Sequence, residues 1–418
     1  MRKKRTISRA HREKGQTIVL VALSIVTLLA MAALAIDVVT LYVARSEAQR
    51  AADAAALAGA KAFADSGVTT DPTNPALQTL AQNMATAAIT AIVQQNKMGG
   101  TPPVLASPPT FNFAQQGDPQ VKVTLQRTDL PTFFARIWGK RLAAVTATAT
   151  AEAYNPSNWQ ATTGISVAPK CVKPLLIPNA DPARAGNPFI TVSTGAVAPG
   201  LVGESFTLQD ACPSGNPNLA CITPPFNAQA GTYLPATVTS NPGNLCPSCQ
   251  GSSNFEQSIE CCDFYVYSCG GTTPPPKVDT TTSRKNVRRD ADDGVQCLIN
   301  ASGSGLGQGQ DVLDLTNFPT GPMQITASSG PQSGNLVTTS RSVATFPVFD
   351  NTAPVPPGGT VTIVGFIQAF INYEIATGNN TQVNLTILNV ASWCNSPGTA
   401  PSVSGGGVSP IPVRLIHN

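Results

Sequence analysis

The chain has 418 residues, of which only 12% are charged, and its formal net charge is +3. Seven basic residues lie within residues 1–14 against the single acid Glu13, so the rest of the chain is slightly acidic. Because binding to nucleic acid needs a clustered basic surface, this charge distribution excludes a nucleic-acid partner for the main body.

The first predicted element is a membrane-spanning helix. Residues 17–36 read TIVLVALSIVTLLAMAALAI, without a charge. As a helix this run is about 30 Å long, the thickness of the hydrocarbon core of a bilayer. Basic flanks stay in the cytoplasm, so we expect a cytoplasmic tail at residues 1–16 and a span at residues 17–39. The expected localisation is the inner membrane, in a single pass, with a periplasmic or extracellular body.

Two alternatives concern processing of this segment. Ala33-Leu34-Ala35 has the small-x-small form of a signal-peptide cleavage site, but the apolar run exceeds the roughly 7–15 residues of a signal-peptide core. Cleavage after Gly15, as in prepilins, is the second alternative, but the fifth residue beyond is Leu20, where prepilin-type substrates carry Glu. A retained anchor is the favoured interpretation.

An alanine-rich segment follows the span, and neither glycine nor proline lies between residues 16 and 58. This pattern predicts one helix that continues to about Asp65 and extends about 40 Å beyond the membrane core. Alanine at every fourth position forms a ridge that another helix or a sheet can approach closely. The alternative is that alanine is simply the best helix former. The helix-contact candidates are Ala44, Ala48, Ala52, Ala56 and Ala60.

A small α+β unit is predicted next, so that the stalk and this unit occupy residues 40–154. Apolar residues at helical spacing predict a second helix over about residues 76–97, closed by Gly99-Gly100. Two alternating segments, PQVKVTLQR at residues 119–127 and AAVTATATAEAY at residues 143–154, predict strands.

The segment LPTFFARIWGK, residues 130–140, lies between those strands. It predicts a helical turn that Pro131 opens and Gly139 ends. One interpretation buries its aromatic side chains in the core of the small unit. The other makes them a docking wedge against a partner or lipid headgroups, with Arg136, Lys140 and Arg141 at its rim. The wedge candidates are Phe133, Phe134, Ile137 and Trp138.

Two segments resemble the TadG-like (TadE/TadG-type) proteins of the tight-adherence (Flp) pilus assembly system. They are GQTIVLVALSIVTLLAMAALAIDVVTLYVARSEAQRAADAAALAGA, residues 15–60, and VKVTLQRTDLPTFFARIWGKRLAAVTATATAEA, residues 121–153. The resemblance implies a membrane-anchored, non-enzymatic component of a bacterial pilus assembly apparatus, with the membrane and other pilus-assembly proteins as partners. Many members of this family add a von Willebrand factor A domain with a DxSxS metal signature, which this sequence lacks.

Residues 155–418 are predicted to form an exported β-rich domain with Cys-rich loops at about residues 205–300. TVTIVGFIQAFINYEI and QVNLTILNVASW, residues 360–375 and 382–393, predict strands joined by a hairpin turn. Residues 270–294 show no apolar periodicity and are interpreted as a solvated polar loop. The predicted fold class is α+β, in which a transmembrane helix continues into a long exported helix, a small α+β unit and a mainly β, disulfide-rich body.

All ten cysteines follow the predicted anchor. An even number on the oxidising side of a membrane predicts up to five disulfides, with connectivity left open. Zinc binding or redox activity at CPSC, residues 246–249, is the alternative, but no histidine lies nearby and Gly, Pro and Ser flank the motif. The disulfide candidates are Cys171, Cys212, Cys221, Cys246, Cys249, Cys261, Cys262, Cys269, Cys297 and Cys394.

Nothing in the sequence indicates an enzyme. The two histidines, His11 and His417, lie near the chain termini, so a Ser-His-Asp or Cys-His mechanism lacks an internal base. We therefore expect no catalytic residue, cofactor, metal or small-molecule substrate. The alternative function is a membrane-tethered β-sandwich of the cell envelope that binds a surface ligand or glycan.

Overall fold

The computed structural model describes residues 10–416, except for residues 115–117, 140, 156–168, 213–214, 239–250, 252, 263–266, 268–275, 300–309, 378–379 and 393–408. The chain divides into two compact units. The first contains the residues up to Ala56 together with Ile89–Pro109 and Lys122–Ala149. The second contains Leu57–Ala88, Thr110–Val121 and the residues from Thr150 onwards.

Helix α1 (Ala10–Ser66) is one uninterrupted helix of 57 residues. This confirms the prediction that the helix continues past the apolar run to about Asp65. Side chains from Thr17 to Ile36 are exposed, apart from the half-exposed Ala33, whereas buried side chains recur from Ala44 onwards. Among the described residues, α1 alone is long and apolar enough to cross a membrane. Its length and composition support membrane anchoring.

Helix α2 (Pro75–Gln95) lies within two residues of its predicted bounds. Proline at the first position fixes a helical φ and loses no hydrogen bond there. The side chain of Asn74 accepts a hydrogen bond from the backbone N–H of Ala76 at 3.0 Å and so caps the first turn.

The described residues also contain fourteen strands. They are β1 (Val104–Leu105), β2 (Thr110–Asn112), β3 (Gln120–Pro131), β4 (Leu142–Ala153), β5 (Leu175–Pro178), β6 (Ser205–Asp210), β7 (Thr232–Pro235), β8 (Val312–Asp314), β9 (Gln324–Thr326), β10 (Leu336–Val337), β11 (Val343–Phe349), β12 (Ile363–Thr377), β13 (Asn380–Ser392) and β14 (Val413–Ile416). The predicted strands at residues 119–127 and 143–154 are confirmed as β3 and β4. The alternating residues Val121, Val123 and Leu125 form the buried side of β3.

The strands form three sheets. In the first sheet the strand order is β1, β3, β4 and β14, and β2 pairs with β3. The second sheet is small and consists of β8, β9 and β10. The third is a closed barrel in the order β11, β12, β13, β6, β7 and β5. Two parallel pairings, β6 with β7 and β5 with β11, close the barrel. The β-sandwich of the alternative hypothesis is therefore corrected to a barrel.

The antiparallel pairing of β12 and β13 confirms the strand prediction at the C-terminal end. The predicted hairpin turn includes residues 378 and 379, which lie outside the described residues. The inward side chains of this hairpin, including Ile367, Ile371 and Leu385, belong to the main apolar core of the second unit.

Helices α3 (Asn254–Glu260) and α4 (Arg284–Leu298) lie in the region predicted to be loops. The prediction of a solvated polar loop at residues 270–294 is therefore wrong for residues 284–294, which are helical. The predicted polar loop ended at Gly294 and therefore did not include Val295 and Leu298. These two residues form a buried stripe together with Val287 and Ala291. Four apolar residues at this spacing define one helix face.

Disulfides join Cys171 to Cys262 and Cys212 to Cys221 in the second unit. Cys261 and Cys297 are also disulfide-bonded. Among the described cysteines none is free. The remaining candidates, Cys246, Cys249, Cys269 and Cys394, lie outside the described residues. Within the described part of the chain, no group of three or more His, Cys, Asp or Glu residues could hold a metal ion.

Candidate functional site

Asp37 lies in α1 directly after the apolar run. Its side chain is only 4% exposed, although its neighbours Ile36 and Val38 are exposed. The carboxylate accepts hydrogen bonds from the backbone N–H groups of Phe133 at 2.8 Å, Phe134 at 3.0 Å and Ala135 at 2.6 Å. A buried carboxylate is costly unless it is paired or hydrogen-bonded, and these three donors meet that need.

The three donors come from the loop between β3 and β4, residues 132–139, called here the Asp37 loop. It contains a short 3-10 turn, Ala135–Trp138, whose first N–H groups have no acceptor within the turn. Phe134 occupies the capping position and its side chain makes no capping hydrogen bond. The carboxylate of Asp37 therefore caps this turn from another element of the chain.

The turn ends at Gly139, as the sequence predicts. Gly139 adopts φ 86°, a left-handed conformation that glycine reaches without steric cost, and its N–H donates back to the carbonyls of Ala135 and Arg136. The turn begins later than predicted, because β3 extends through Pro131. Thr132 N–H then donates to the carbonyl of Arg141 at 3.3 Å and narrows the base of the loop.

The wedge candidates fall into two groups. Phe133 is 54% exposed, so its ring is not a core residue, whereas Phe134 is half-buried. The backbone of Ile137 and Trp138 lies in the turn, but their side chains lie outside the described part of the structure. At the rim, Arg136 and Arg141 are exposed, and Lys140 lies outside the described residues.

A second set of charged contacts lies further along α1, also in the first unit. Glu47 accepts a hydrogen bond from the N–H of Gly99 at 2.7 Å, in the turn after α2. Arg127, on β3, donates to the carbonyls of Met98 and Gly99 and to the carboxylate of Asp129. The sequence did not predict the hydrogen bonds made by the side chains of Asp37, Glu47 and Arg127. Only Asp37 carried a signal, because it is the first charge after the apolar run.

The alanine ridge of α1 is buried by this chain itself. Ala44, Ala48, Ala52, Ala56 and Ala60 are all buried, the first four in the first unit and Ala60 in the second. Beside the ridge, the side-chain amide of Gln49 donates to the carbonyl of Thr148 on β4 at 3.3 Å. In this structure the chain's own residues, rather than a partner, cover these alanines.

A cluster of buried charges occupies the edge of the first sheet, within the second unit. Glu152 pairs with Arg414 of β14 at 2.5 Å, and the Arg414 guanidinium lies 4.6 Å from the centre of the Tyr154 ring. The pKa of Asp118 is raised to about 7, mainly by burial and also by the charge of Glu152, although the N–H of Asn155 and the charge of Arg414 lower it. An Asp that is neutral below pH 7 is a candidate for chemistry, but no histidine base lies among the described residues around it.

An open pocket of about 410 Å³ lies on the barrel, in the second unit. Small side chains line it, including Ala180, Ala185 and Ala230, together with the amides of Gln229 and Asn351. Its lining contains neither an aromatic nor a charged residue. Glycan sites typically use aromatic faces and directed polar groups, so this pocket does not favour the glycan-binding alternative.

Fold and site together define an α+β protein in which a long apolar helix, suited to membrane anchoring, continues without a break into a segment with buried side chains. A family model described as "Putative Flp pilus-assembly TadE/G-like" matches residues 15–62 of the chain. The match confirms the TadG-like resemblance over the anchor helix and supports involvement in Flp pilus assembly. The second resembling segment, residues 121–153, lies outside the matched residues. Comparisons with curated proteins and with solved structures gave no match.

Proposed function

We propose that this protein is a single-pass, non-enzymatic component of a tight-adherence pilus assembly apparatus, working by contact with other pilus-assembly proteins. One observation carries the proposal: the matched residues 15–62 form a continuous helix that leaves the apolar span and enters the folded body without a break. Such a helix couples events in the membrane to the body, because a continuous helix is stiff over its length.

The proposed topology places the N-terminus in the cytoplasm and the body on the periplasmic or extracellular side of the inner membrane. The basic residues that precede the span support this orientation. The disulfides Cys171–Cys262 and Cys212–Cys221 support it independently, because disulfides persist in oxidising compartments and are rare in the cytosol.

The proposed partner surface is the exposed apolar face of the span. Its large side chains, such as Leu20, Leu28 and Leu34, are exposed along the run. The alanine ridge is a weaker candidate for partner contacts, because the chain already covers it. A partner helix within the bilayer meets this span first, where association depends on van der Waals packing and on close approach at small residues.

Deletion of the gene tests this function. We expect pilin to accumulate in the inner membrane while filaments disappear from the cell surface, and an intact copy to restore them. A second copy, in which an unrelated apolar sequence of equal length replaces residues 17–36, separates two roles of the helix. Failure of this copy supports contacts through the span, whereas full restoration assigns the contacts to the body.

A matched control is the Leu336→Ser variant, which alters an exposed apolar residue of β10 and leaves the span intact. It should restore filaments as well as the intact copy does. Normal surface filaments in the deletion strain would overturn the proposed function, and a tethered envelope domain would then be the better account.

A further inference from the structure

We propose that the Asp37 loop is a second membrane contact, in which Phe133 lies in the headgroup region of the bilayer and Asp37 holds it there. The partner is the phospholipid surface, with anionic headgroups preferred. The inference depends on α1 crossing a membrane and does not depend on a role in pilus assembly.

Depth in the bilayer is the first argument. The uncharged run of residues 17–36 fills a hydrocarbon core of about 30 Å, so Asp37 lies at its boundary. The carboxylate of Asp37 is 2.6–3.0 Å from the amide nitrogens of Phe133, Phe134 and Ala135. These hydrogen bonds place the backbone of the loop at the same height as Asp37, whichever way the remainder of the chain extends.

Exposure is the second argument. Phe133 is 54% exposed, and the helix positions just beyond Asp37 are also apolar and exposed, with Val38 at 58% and Tyr42 at 74%. Phenylalanine and tyrosine gain most from a site that is apolar on one side and wet on the other, which is the membrane interface. A lipid surface therefore suits the exposed apolar side chains both on the loop and on the adjacent part of α1.

Charge around the loop fits an anionic surface. Arg136 lies in the loop and Arg141 lies shortly after it, and both are exposed. A guanidinium group binds phosphate oxygens through paired hydrogen bonds. The negative charge of Asp37 is enclosed by three N–H donors and does not face outwards. The nearby acid Asp129 is paired with Arg127 at 2.7 Å. Long basic side chains at this height can extend to the headgroups while their stems remain in apolar surroundings.

The role assigned to Asp37 is positioning. Its carboxylate caps the 3-10 turn and joins the loop to the helix, so it fixes the height at which Phe133 meets the bilayer. In its absence, three N–H groups at the start of the turn lose their acceptor and the loop is released from the helix.

The test uses the full chain in vesicles of phosphatidylethanolamine and phosphatidylglycerol, with the photoreactive residue p-benzoylphenylalanine in place of Phe133. We expect illumination to add the mass of one phospholipid to the protein. The matched control carries the same residue at Val104, which is similarly exposed at 58%. Val104 pairs with Gln126, about 17 Å along β3 before the strand ends. The proposal would be overturned if lipid adducts were no more abundant at position 133 than at position 104. It would also be overturned if position 133 formed adducts with protein instead of lipid.

Two further arms test the roles of Asp37 and of lipid charge. D37N keeps the size of the side chain but removes its charge and presents an amide donor to three N–H groups, so the adduct at position 133 should fall about tenfold. D65N, at an exposed acid on the same helix, should leave it unchanged. Replacing phosphatidylglycerol by phosphatidylcholine should lower the adduct severalfold.

Each arm has a contrary result. An unchanged adduct in D37N disproves positioning by Asp37, and an unchanged adduct without anionic lipid disproves the role of the arginines. Circular dichroism establishes whether D37N is folded. If it is not, the comparison of positions 133 and 104 in the otherwise unaltered chain decides the proposal.

Discussion

The contacts that join distant segments within each of the two units differ in kind. In the first unit, three charged side chains, Asp37, Glu47 and Arg127, bind backbone groups of other segments. In the second unit, disulfides and the apolar core of a closed barrel join distant segments. Both units bury apolar side chains, so the difference lies in what is added: charge-assisted hydrogen bonds to backbone groups in the first unit and covalent closure in the second.

Removal of the Cys171–Cys262 disulfide should have the largest effect. This bond closes a loop of 91 residues, and the chain-entropy model assigns about 4–5 kcal/mol to it. The Cys212–Cys221 bond closes only nine residues and should contribute about 2–3 kcal/mol. Urea unfolding of each double Cys→Ser variant in detergent measures the two losses. Equal losses would contradict the entropic account.

Asp37→Asn should destabilise the first unit clearly more than Asp65→Asn does, because three charge-assisted hydrogen bonds to backbone N–H groups are lost. The measurement is the thermal unfolding midpoint of the full chain in detergent. Asp65→Asn is the matched control on the same helix, and loss of its exposed pair with Lys61 should cost less than about 0.5 kcal/mol. Similar losses in both variants would show that Asp37 does not fasten the loop.

Asp118→Asn should stabilise the second unit at pH 8 by about 2 kcal/mol. The pKa of Asp118 is raised to about 7 by burial, above its usual 3.8, so the folded state holds a proton that the unfolded state releases. Its contribution to stability is therefore present below pH 4 and is lost as the pH rises towards 7. Asparagine cannot ionise and keeps an oxygen for the N–H of Asn155.

Asp279→Asn is the opposite control for that experiment. Burial opposes ionisation of Asp279, but the hydroxyl and N–H groups of Thr281 and Thr282 together lower its pKa. Its stabilising contribution is present above the usual pKa of 3.8 and is lost as the pH falls through the lowered pKa. The variant should therefore be less stable than the parent at pH 8, and a gain in stability would contradict this assignment.

Glu47→Gln should have a small effect, about 1 kcal/mol, because Glu47 makes one charged hydrogen bond and is only half-buried. Glutamine keeps an acceptor oxygen for the N–H of Gly99. Thermal unfolding of this variant and of Asp37→Asn under the same conditions shows which contact contributes more to stability. A larger loss of stability in Glu47→Gln than in Asp37→Asn would contradict the order proposed here.

Local patterns predicted several elements well. The uncharged run and the alanine-rich segment predicted α1, the alternation of Val121, Val123 and Leu125 predicted β3, and the turn-forming residues between two β-branched runs predicted the hairpin of β12 and β13. Each of these signals lies within one element. Helix α4 was missed because its polar residues dominate the segment, and its four apolar residues are recognised only when the window extends to Leu298.

The sequence by itself determined the anchor, the continuous helix, the long strands and the even set of cysteines, because periodicity and residue type act over a few residues. The tertiary structure alone decided which cysteines pair, that the strands close into a barrel, that the chain covers its own alanine ridge, and that Asp37 caps a turn that begins 98 residues away. These outcomes depend on contacts between segments far apart in the chain, whose pairing no local pattern specifies.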